Sequence, residues 1–239
     1  MLKKALLFGL TLFVTFGMQA QTADEIINNY FENTGGAEAW RQLESTKMTA
    51  KMSMQGMEFP GTIYAAPPNK QRAEINVQGQ EIISAYNGDV AWMINPMMGS
   101  GDPQKMPDAQ AEEMKKQEFE SPLLDYEKKG HTVSLEGKET VDGTETYKVK
   151  LTRKNGDVEY YYFEPEYYVP IMMEREISNG QMKGQMAKTY LSDYQEVEGL
   201  MMPFFIESKI NGQTLQKLTI TSVELNPEIE TEMFNFPKQ

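Results

Sequence analysis

A succession of short alternating segments, separated by turn residues, constrains this chain more than any other feature. In residues 48–54, methionine and alanine occupy the even positions while threonine, lysine and serine occupy the odd ones, which is the period of a strand with one apolar face. The pairs Asn155-Gly156, Asn179-Gly180 and Asn211-Gly212 are typical of hairpin turns. Because short connections favour antiparallel neighbours, we predict antiparallel strands at 46–58, 61–66, 69–77, 80–87, 89–95, 131–137, 145–152, 157–163, 169–177, 184–194, 200–210 and 213–225.

Helical patterns are few. Residues 24–31 place apolar side chains on one helical face and end at Thr34-Gly35-Gly36, and residues 37–43 predict a short second helix. A loop at 96–106 precedes a third helix at 109–119, and residues 122–129 can add another turn or two. A sheet of about a dozen strands either closes or curls. We therefore predict an α+β fold in which helices cover the concave face of a strongly curved antiparallel sheet.

Methionine is unusually abundant, at 18 residues against 15 leucines. Methionine is flexible and polarizable, and proteins overuse it where an apolar surface must accept variable shapes. Composition alone leaves two interpretations open. The methionines form either an oddly composed packed core or the wall of a deformable cavity.

The first twenty residues have the pattern of an export signal. Lys3 and Lys4 precede an apolar run at 5–16, which is short for a membrane-spanning helix, and Ala20 precedes Gln21 as the expected cleavage site. A retained membrane anchor is the alternative. We expect a cleaved signal peptide at 1–20, a single domain at 21–239 and a periplasmic location.

The chain contains no cysteine, which excludes disulfides, thiolate metal sites and lipid attachment at an N-terminal cysteine. Without the first twenty residues it holds 21 basic and 35 acidic residues, a net charge of about −14. Such a surface repels nucleic acid at long range. We expect no nucleic-acid partner and a monomer.

Catalytic patterns are weak. His131 is the single histidine, and residues 99–101 are not followed by the lysine and hydroxyl residue of a phosphate-binding loop. The acid pairs Asp142/Glu145 and Glu164/Glu166 leave a carboxylate-based glycoside hydrolase as a remote alternative. We expect no enzyme activity, no cofactor and no metal site.

An aromatic run at 159–163, followed by Tyr167-Tyr168, also has two interpretations. It forms either a stacking platform for a sugar or peptide, or a strand that is aromatic on both faces. We favour the strand, since aromatic residues are ordinary strand formers.

Three segments together resemble a known family. Residues 61–69 (GTIYAAPPN) and 83–96 (ISAYNGDVAWMINP) resemble the strand, Pro-Asn turn and Trp-containing strand of the periplasmic lipoprotein carrier family typified by LolA. Residues 233–237 (MFNFP) resemble that family's C-terminal Phe-x-Phe motif. The segment with Gly35-Gly36 and Trp40 is closer to a divergent, lipoprotein-sorting-like branch.

The resemblance implies a half-barrel of about 11 strands, lidded by helices, that binds the acyl chains of lipoproteins for transfer to the outer membrane. It implies donor and acceptor proteins at the two membranes, no cofactor and no covalent chemistry. One position departs from the family. Pro67 stands where the best-known carriers have an arginine that latches the lid, and we consider Arg72 as a substitute lid contact.

We therefore predict a soluble periplasmic carrier of an acylated or otherwise lipidic ligand. An envelope sensing module of the same fold, which binds a protein partner, is the alternative. The candidate cavity-wall residues are Met48, Met52, Met54, Ile63, Trp92, Ile94, Tyr147, Val149, Leu151 and Phe205.

Overall fold

One antiparallel sheet of 13 strands dominates the structure. A computed structural model describes residues 21–54, 56–99, 101–178 and 180–237. The expected signal peptide, and Asn179 of one predicted turn pair, lie outside these residues. Among them the strand order is β6-β5-β4-β3-β2-β1-β13-β12-β11-β10-β9-β8-β7, so the sheet is open between β6 and β7.

The helices are α1 (Ala23–Asn33), α2 (Ala37–Arg41) and α3 (Asp108–Lys115). No helix among the described residues is long and apolar enough to cross a membrane. The strands are β1 (Thr46–Met54), β2 (Met57–Ala66), β3 (Lys70–Val77), β4 (Gln80–Tyr86), β5 (Ala91–Ile94), β6 (Gln104–Lys105), β7 (Thr132–Val141), β8 (Thr144–Thr152), β9 (Val158–Phe163), β10 (Pro170–Glu176), β11 (Met186–Val197), β12 (Leu200–Ile210) and β13 (Gln213–Leu225).

Helix α1 begins at a capping box. The hydroxyl of Thr22 accepts from the main-chain N–H of Glu25 (3.2 Å), whose carboxylate accepts from the Thr22 N–H (2.9 Å). The apolar face of α1 packs against β8 and β9, and the resulting core contains Ala23, Ile26, Ile27, Phe31, Leu123, Leu124, Val149, Leu151, Tyr161 and Phe163. The helix thus covers one half of the sheet with close packing.

The sheet curls strongly, as the contacts of α3 with two distant strands show. Gln71 of β3 donates to the main-chain oxygen of Met114 (3.0 Å), while the neighbouring Glu113 pairs with Arg175 of β10 (2.9 Å). Six inter-strand steps of about 4.8 Å would separate β3 from β10 by about 29 Å in a flat sheet. Because two adjacent residues reach both strands, the sheet must bend into a half-barrel around α3.

The predicted fold class is confirmed, although the sheet has two strands more than the resemblance implies. The segment predicted as one strand at 46–58 is a hairpin, because the chain turns between Met54 and Met57 with Gly56 at φ 81°. Strand β2 then continues through Pro60. Proline is tolerated there because β3 pairs with β2 only from Gly61 onward, so its missing N–H leaves that ladder intact.

Other boundaries differ from prediction as well, and the short strand β6 (Gln104–Lys105) lies within residues 96–106, which the sequence predicts as a loop. Helix α3 ends at Lys115 rather than at residue 119, and the N–H of Phe119 donates instead to the oxygen of Pro68 (3.0 Å). Strand β7 runs past Gly137, which sits at an irregularity in its register with β8, and turns only at Asp142-Gly143. The turn pair Asn211-Gly212 is confirmed, since both residues have positive φ (51° and 77°) as a type I′ turn requires.

The C-terminal segment, residues 226–237, covers the outer face of β3, β4 and β5. The ring N–H of Trp92 donates to the main-chain oxygen of Phe234 (2.8 Å), and the Phe236 ring lies 6.2 Å from the Trp92 ring. Arg72 donates to the oxygen of Met233 (2.8 Å) and lies over the same indole, 5.5 Å from its centre. This apolar cluster is separate from the core under α1.

Gly35 is tightly constrained at the corner between α1 and α2, where its φ is 110°. A Cβ at this position would lie 2.2 Å from the main-chain oxygen of Gly199, whereas a Cβ on Gly36 (φ 89°) would meet nothing within 4 Å. We expect Gly35→Ala to lower the free energy of unfolding by about 3 kcal/mol, from overpacking together with backbone strain. Gly36→Ala should cost only the strain, about 1 kcal/mol. Urea unfolding of the two variants tests this, and equal losses would contradict it.

Candidate functional site

A cavity of about 250 Å³ lies on the concave face, between the sheet and the segment that follows α3. Strand pairing gives its sheet wall, since Met48 lies opposite Ile63, and Thr46 lies opposite Ala65. Met202 of β12, Trp40 and Leu43 add apolar surface. The remaining lining residues are Asn69, Lys70, Gln71, Gln117, Glu118, Phe119, Glu120, Ser121 and Leu124.

A second cavity, of about 240 Å³, lies beneath the same segment against β9, β10 and β11. Tyr161, Met173 and Ala187 give it apolar surface. Half of its twelve lining residues are charged, namely Lys116, Glu118, Arg153, Glu159, Glu174 and Arg175. Gln117 and Glu118 line both cavities. Residues 116–121, which we call the strap, therefore form the partition between two hollows on one concave face.

Hydrogen bonds to the β2–β3 connection hold the strap on one side. Besides the bond from Gln71 to Met114, Asn69 donates to the oxygen of Lys115 (3.5 Å), and the Phe119 N–H donates to Pro68 (3.0 Å). These contacts attach the end of α3 and the strap to the edge of the first cavity. They involve main-chain atoms, so the local sequence pattern gives little indication of them.

Ion pairs hold the strap on the other side. Glu118 pairs with Arg153 (3.0 Å), Lys116 with Asp157 (3.4 Å), and Glu113 at the end of α3 with Arg175 (2.9 Å). Lys116 also donates to the hydroxyl of Ser178. Ion pairs that remain partly open to solvent, as these do, contribute about 0–1 kcal/mol each. The strap is thus fixed by several weak contacts rather than by apolar packing.

Arg153 is the most enclosed of these cations, and it also contacts Glu159 (2.8 Å). Burial by itself would lower the pKa of Arg153, but the carboxylates of Glu159 and Glu118 outweigh it and raise the pKa. Burial, reinforced by Glu159, raises the pKa of Tyr161 well above its usual value. Tyr161 therefore stays neutral at physiological pH, and the charged side chains near it line the second cavity and an adjoining charged hollow of about 570 Å³.

Met48, Met52 and Met54 lie on one face of β1, as predicted, but only Met48 lines the first cavity. Met48 lines the first cavity together with Ile63. Met52 lies on the same face, opposite Phe59, and is half-buried beyond the cavity. Met54 is exposed at the hairpin end. A ligand-binding role for these four residues stays a prediction.

Three predicted wall residues lie on the outer face instead. Trp92 pairs with Ala85, which pairs with Arg72, and this row faces away from the row of Ile63 and Ala73. Trp92 and Ile94 consequently pack beneath Phe236 and line neither cavity. Phe205 lies opposite Thr219 on the outer face, whereas its neighbours Phe204 and Ile206 pack on the concave face.

The predicted residues of β8 are on the concave face but under α1. Val149 and Leu151 are fully buried against the helix, and Tyr147 packs at the edge of the same core, stacked 6.1 Å from Tyr168. They line neither cavity because the helix fills the space above them. The aromatic run at 159–163 forms β9, with Tyr161 and Phe163 in this core and Tyr160 and Tyr162 on the outer face, as a two-sided strand requires.

The expected lid contact of Arg72 is not formed. Its side chain lies on the outer face, where it pairs with Glu74 (2.6 Å) and binds the C-terminal segment. Pro67, at the position of the family's latch arginine, has no side-chain donor. In this chain Arg153 and Arg175 provide the cationic contacts to the strap and α3, from the opposite side of the half-barrel.

Sequence reasoning missed much of the cavity lining. Trp40, Phe119, Leu124 and Met202 line it from four separate parts of the chain. One signal for Met202 was available, since it alternates with Phe204 and Ile206 along β12. No local pattern places Phe119, because it lies in the non-helical strap.

The groups considered for catalysis have structural contacts. His131 accepts from the N–H of Lys154 (3.2 Å), and burial together with Arg153 lowers its pKa. The carboxylate of Glu164 accepts from the N–H groups of Glu166 and Tyr167 (2.9 and 2.6 Å), and Glu145 pairs with Lys138. Within the described ranges, no group of three or more His, Asp or Glu residues could hold a metal ion.

No family model and no curated protein matches the chain. Solved structures do. An outer membrane lipoprotein-sorting protein domain from Vibrio parahaemolyticus matches with a TM-score of 0.58 and 11% identity, covering 88% of this chain and 95% of that one. A LolA superfamily protein from Nitrosomonas europaea matches with 0.58 and 12%, covering 90% and 98%.

This chain has a LolA-like fold. A DUF1329 family protein from Desulfovibrio piger shares it as well, with a TM-score of 0.60, 9% identity and coverage of 89% and 96%. At these identities the matches establish the fold and leave the ligand open. The resemblance noted in the sequence is therefore confirmed at the level of architecture.

Met48 and Leu151 provide a test of the boundary between cavity and packed core. Leu151 is fully buried under α1, so we expect Leu151→Ala to lower the free energy of unfolding by about 2–5 kcal/mol. Met48 already faces empty space and has fewer contacts to lose, so Met48→Ala should cost about 1 kcal/mol. Urea unfolding measures both, and a loss for Met48→Ala as large as that for Leu151→Ala would show that this face is packed core.

Proposed function

We propose that this protein is a carrier that holds a flexible apolar chain, of the kind found in acylated lipoproteins and lipids, in the two hollows beneath the strap. The observation that carries the proposal is the pair of adjoining cavities on one concave face, divided only by a segment held by weak polar contacts. The shared fold of a lipoprotein-sorting domain supports it.

The volumes indicate how such a ligand would bind. Pockets for small molecules typically measure about 300–1,000 Å³, so each hollow alone is at or below the lower limit. Displacing the strap would join them into one continuous groove, with apolar residues along its sheet wall and charged residues on the β9–β10 side. We therefore infer that ligand binding requires movement of residues 116–121, and that the strap closes over the bound chain.

Flexible walls suit this purpose. Met48, Met173 and Met202 contribute unbranched side chains that change shape at low cost. Each buried methylene contributes about 0.8 kcal/mol, so ten of them would provide about 8 kcal/mol before the cost of ordering the chain. Such binding needs no specific hydrogen bond and stays reversible, as a carrier requires.

The cellular setting belongs to the same proposal. The signal pattern at 1–20 supports export to the periplasm, and a carrier there would receive its ligand from the inner membrane and release it at the outer membrane. The proposed role includes no covalent step.

Filling the first cavity tests the proposal directly. Ile63 lines it, while its neighbour Thr62 faces outward in the row of Glu74. We expect Ile63→Trp to weaken binding of a fluorescent fatty acid about tenfold, by removing room for two methylenes. Thr62→Trp adds the same ring outside and should leave affinity unchanged. Absence of saturable uptake by the unmodified protein, or equal effects of both variants, would refute the carrier.

Weakening a contact of α3, which leads directly into the strap, tests the role of the strap as a gate. Glu113→Gln removes the ion pair with Arg175, whereas Glu112→Gln on the same helix removes only an exposed pair with Lys115. A loss of up to 1 kcal/mol should speed uptake of the probe up to about fivefold in Glu113→Gln. Stopped-flow fluorescence measures the rates. Equal rates in Glu113→Gln and Glu112→Gln would show that this contact does not limit entry.

A further inference from the structure

The exposed apolar side chains of this protein are concentrated at one end of the sheet. Antiparallel pairing places the β1–β2, β3–β4 and β12–β13 hairpins, the end of β5 and the β10–β11 connection at the same end. Of the seven exposed large apolar side chains among the described residues, six lie here. They are Met54, Met57, Met97, Met98, Met182 and Leu215. We call this the methionine end.

Charged residues are also unevenly distributed between the methionine end and the opposite end of the sheet, which we call the acidic end. The connections at the methionine end, at 55–56, 78–79, 95–103, 153–157, 177–185 and 211–212, contain three basic and two acidic residues. Those at the other end, at 67–69, 87–90, 142–143, 164–169 and 198–199, together with 226–237, contain eight acidic residues and no basic one. The chain as a whole carries a net charge of −12. The methionine end is thus the part that an anionic surface would repel least.

The concave face connects this end with the first cavity. Met52 and Phe59 lie opposite each other, and Ile75 lies opposite Gly61 on the same side as Met48. These three apolar residues are half-buried, so the apolar surface continues from the cavity towards the exposed methionines. An acyl chain entering along this route would first meet the methionine end.

We propose that the methionine end docks onto a phospholipid bilayer, with its methionine side chains entering the interfacial region. The proposal builds on the proposed function, because a bilayer is the place where an acyl chain becomes available.

The chemistry of the methionine end favours a bilayer over a protein partner. Protein interfaces are enriched in aromatic and arginine anchors that fill central pockets. Five of the six exposed side chains here are unbranched methionines, the six are distributed over four separate places, and the exposed aromatic Tyr167 lies at the acidic end. A fluid apolar surface needs no matching pocket, and flexible thioethers can adapt to it.

Flotation with vesicles of phosphatidylethanolamine and phosphatidylglycerol tests the docking. We expect the mature chain to float with the vesicles, and the double variants Met97→Glu/Met98→Glu and Met54→Glu/Met57→Glu each to reduce the bound fraction about tenfold. Tyr167→Glu, which adds one negative charge at an exposed position of the acidic end, should leave it unchanged. Binding should persist in about 1 M salt, where charges are screened beyond about 3 Å.

Three results would overturn the proposal: no flotation of the unmodified chain, equal loss in Tyr167→Glu, or complete loss in high salt. Uptake of the fatty-acid probe without vesicles separates docking from the carrier function. Normal uptake without flotation would reject docking and leave the carrier intact. Flotation without uptake would reject the carrier and leave docking intact. All the substituted side chains are exposed, and urea unfolding confirms that each variant is folded.

Discussion

An open antiparallel sheet with an apolar concave face must be covered, and the rest of this structure depends on how that is done. The strands provide more concave surface than the three short helices of the described residues can fill. Helix α1, with Leu123 and Leu124, packs closely over β8 and part of β9. Over β1, β2, β10 and β11, α2 and the strap cover the sheet without filling the space, and the two cavities result.

The difference between the halves follows from the type of contact that each covering segment makes. The α1 interface buries aliphatic and aromatic side chains, which stabilise it strongly and leave no room. The strap is held by main-chain hydrogen bonds on one side and ion pairs on the other, and these are individually weak. Close packing therefore provides stability in one half, while the other half keeps a cover that can move at small cost.

Methionine has more than one use in this protein. Met48, Met173 and Met202 line the cavities, Met172 is buried on the outer face, and others such as Met98 are exposed at one end of the sheet. Composition could not separate the core from the cavity interpretation because both apply to different residues. The acidic residues of the strand connections and the C-terminal segment show a similar division, since eight lie at the end opposite the exposed methionines and two at the methionine end.

The sequence by itself determined the α+β class, most strand positions, the antiparallel connections and the absence of disulfides, because alternation, turn pairs and cysteine content are local properties. It also placed Met48 and Ile63 on one apolar face, since both follow a period of two. Only the tertiary structure decided which face of each strand is concave. Trp92, Ile94 and Phe205 lie in unbroken apolar runs that do not distinguish the two faces of a strand, and strand register and the C-terminal segment place them outside. Local sequence patterns could not predict the position of the strap either, because it depends on contacts to Pro68 and Arg153. These two residues are distant in sequence and become neighbours only when the sheet curls.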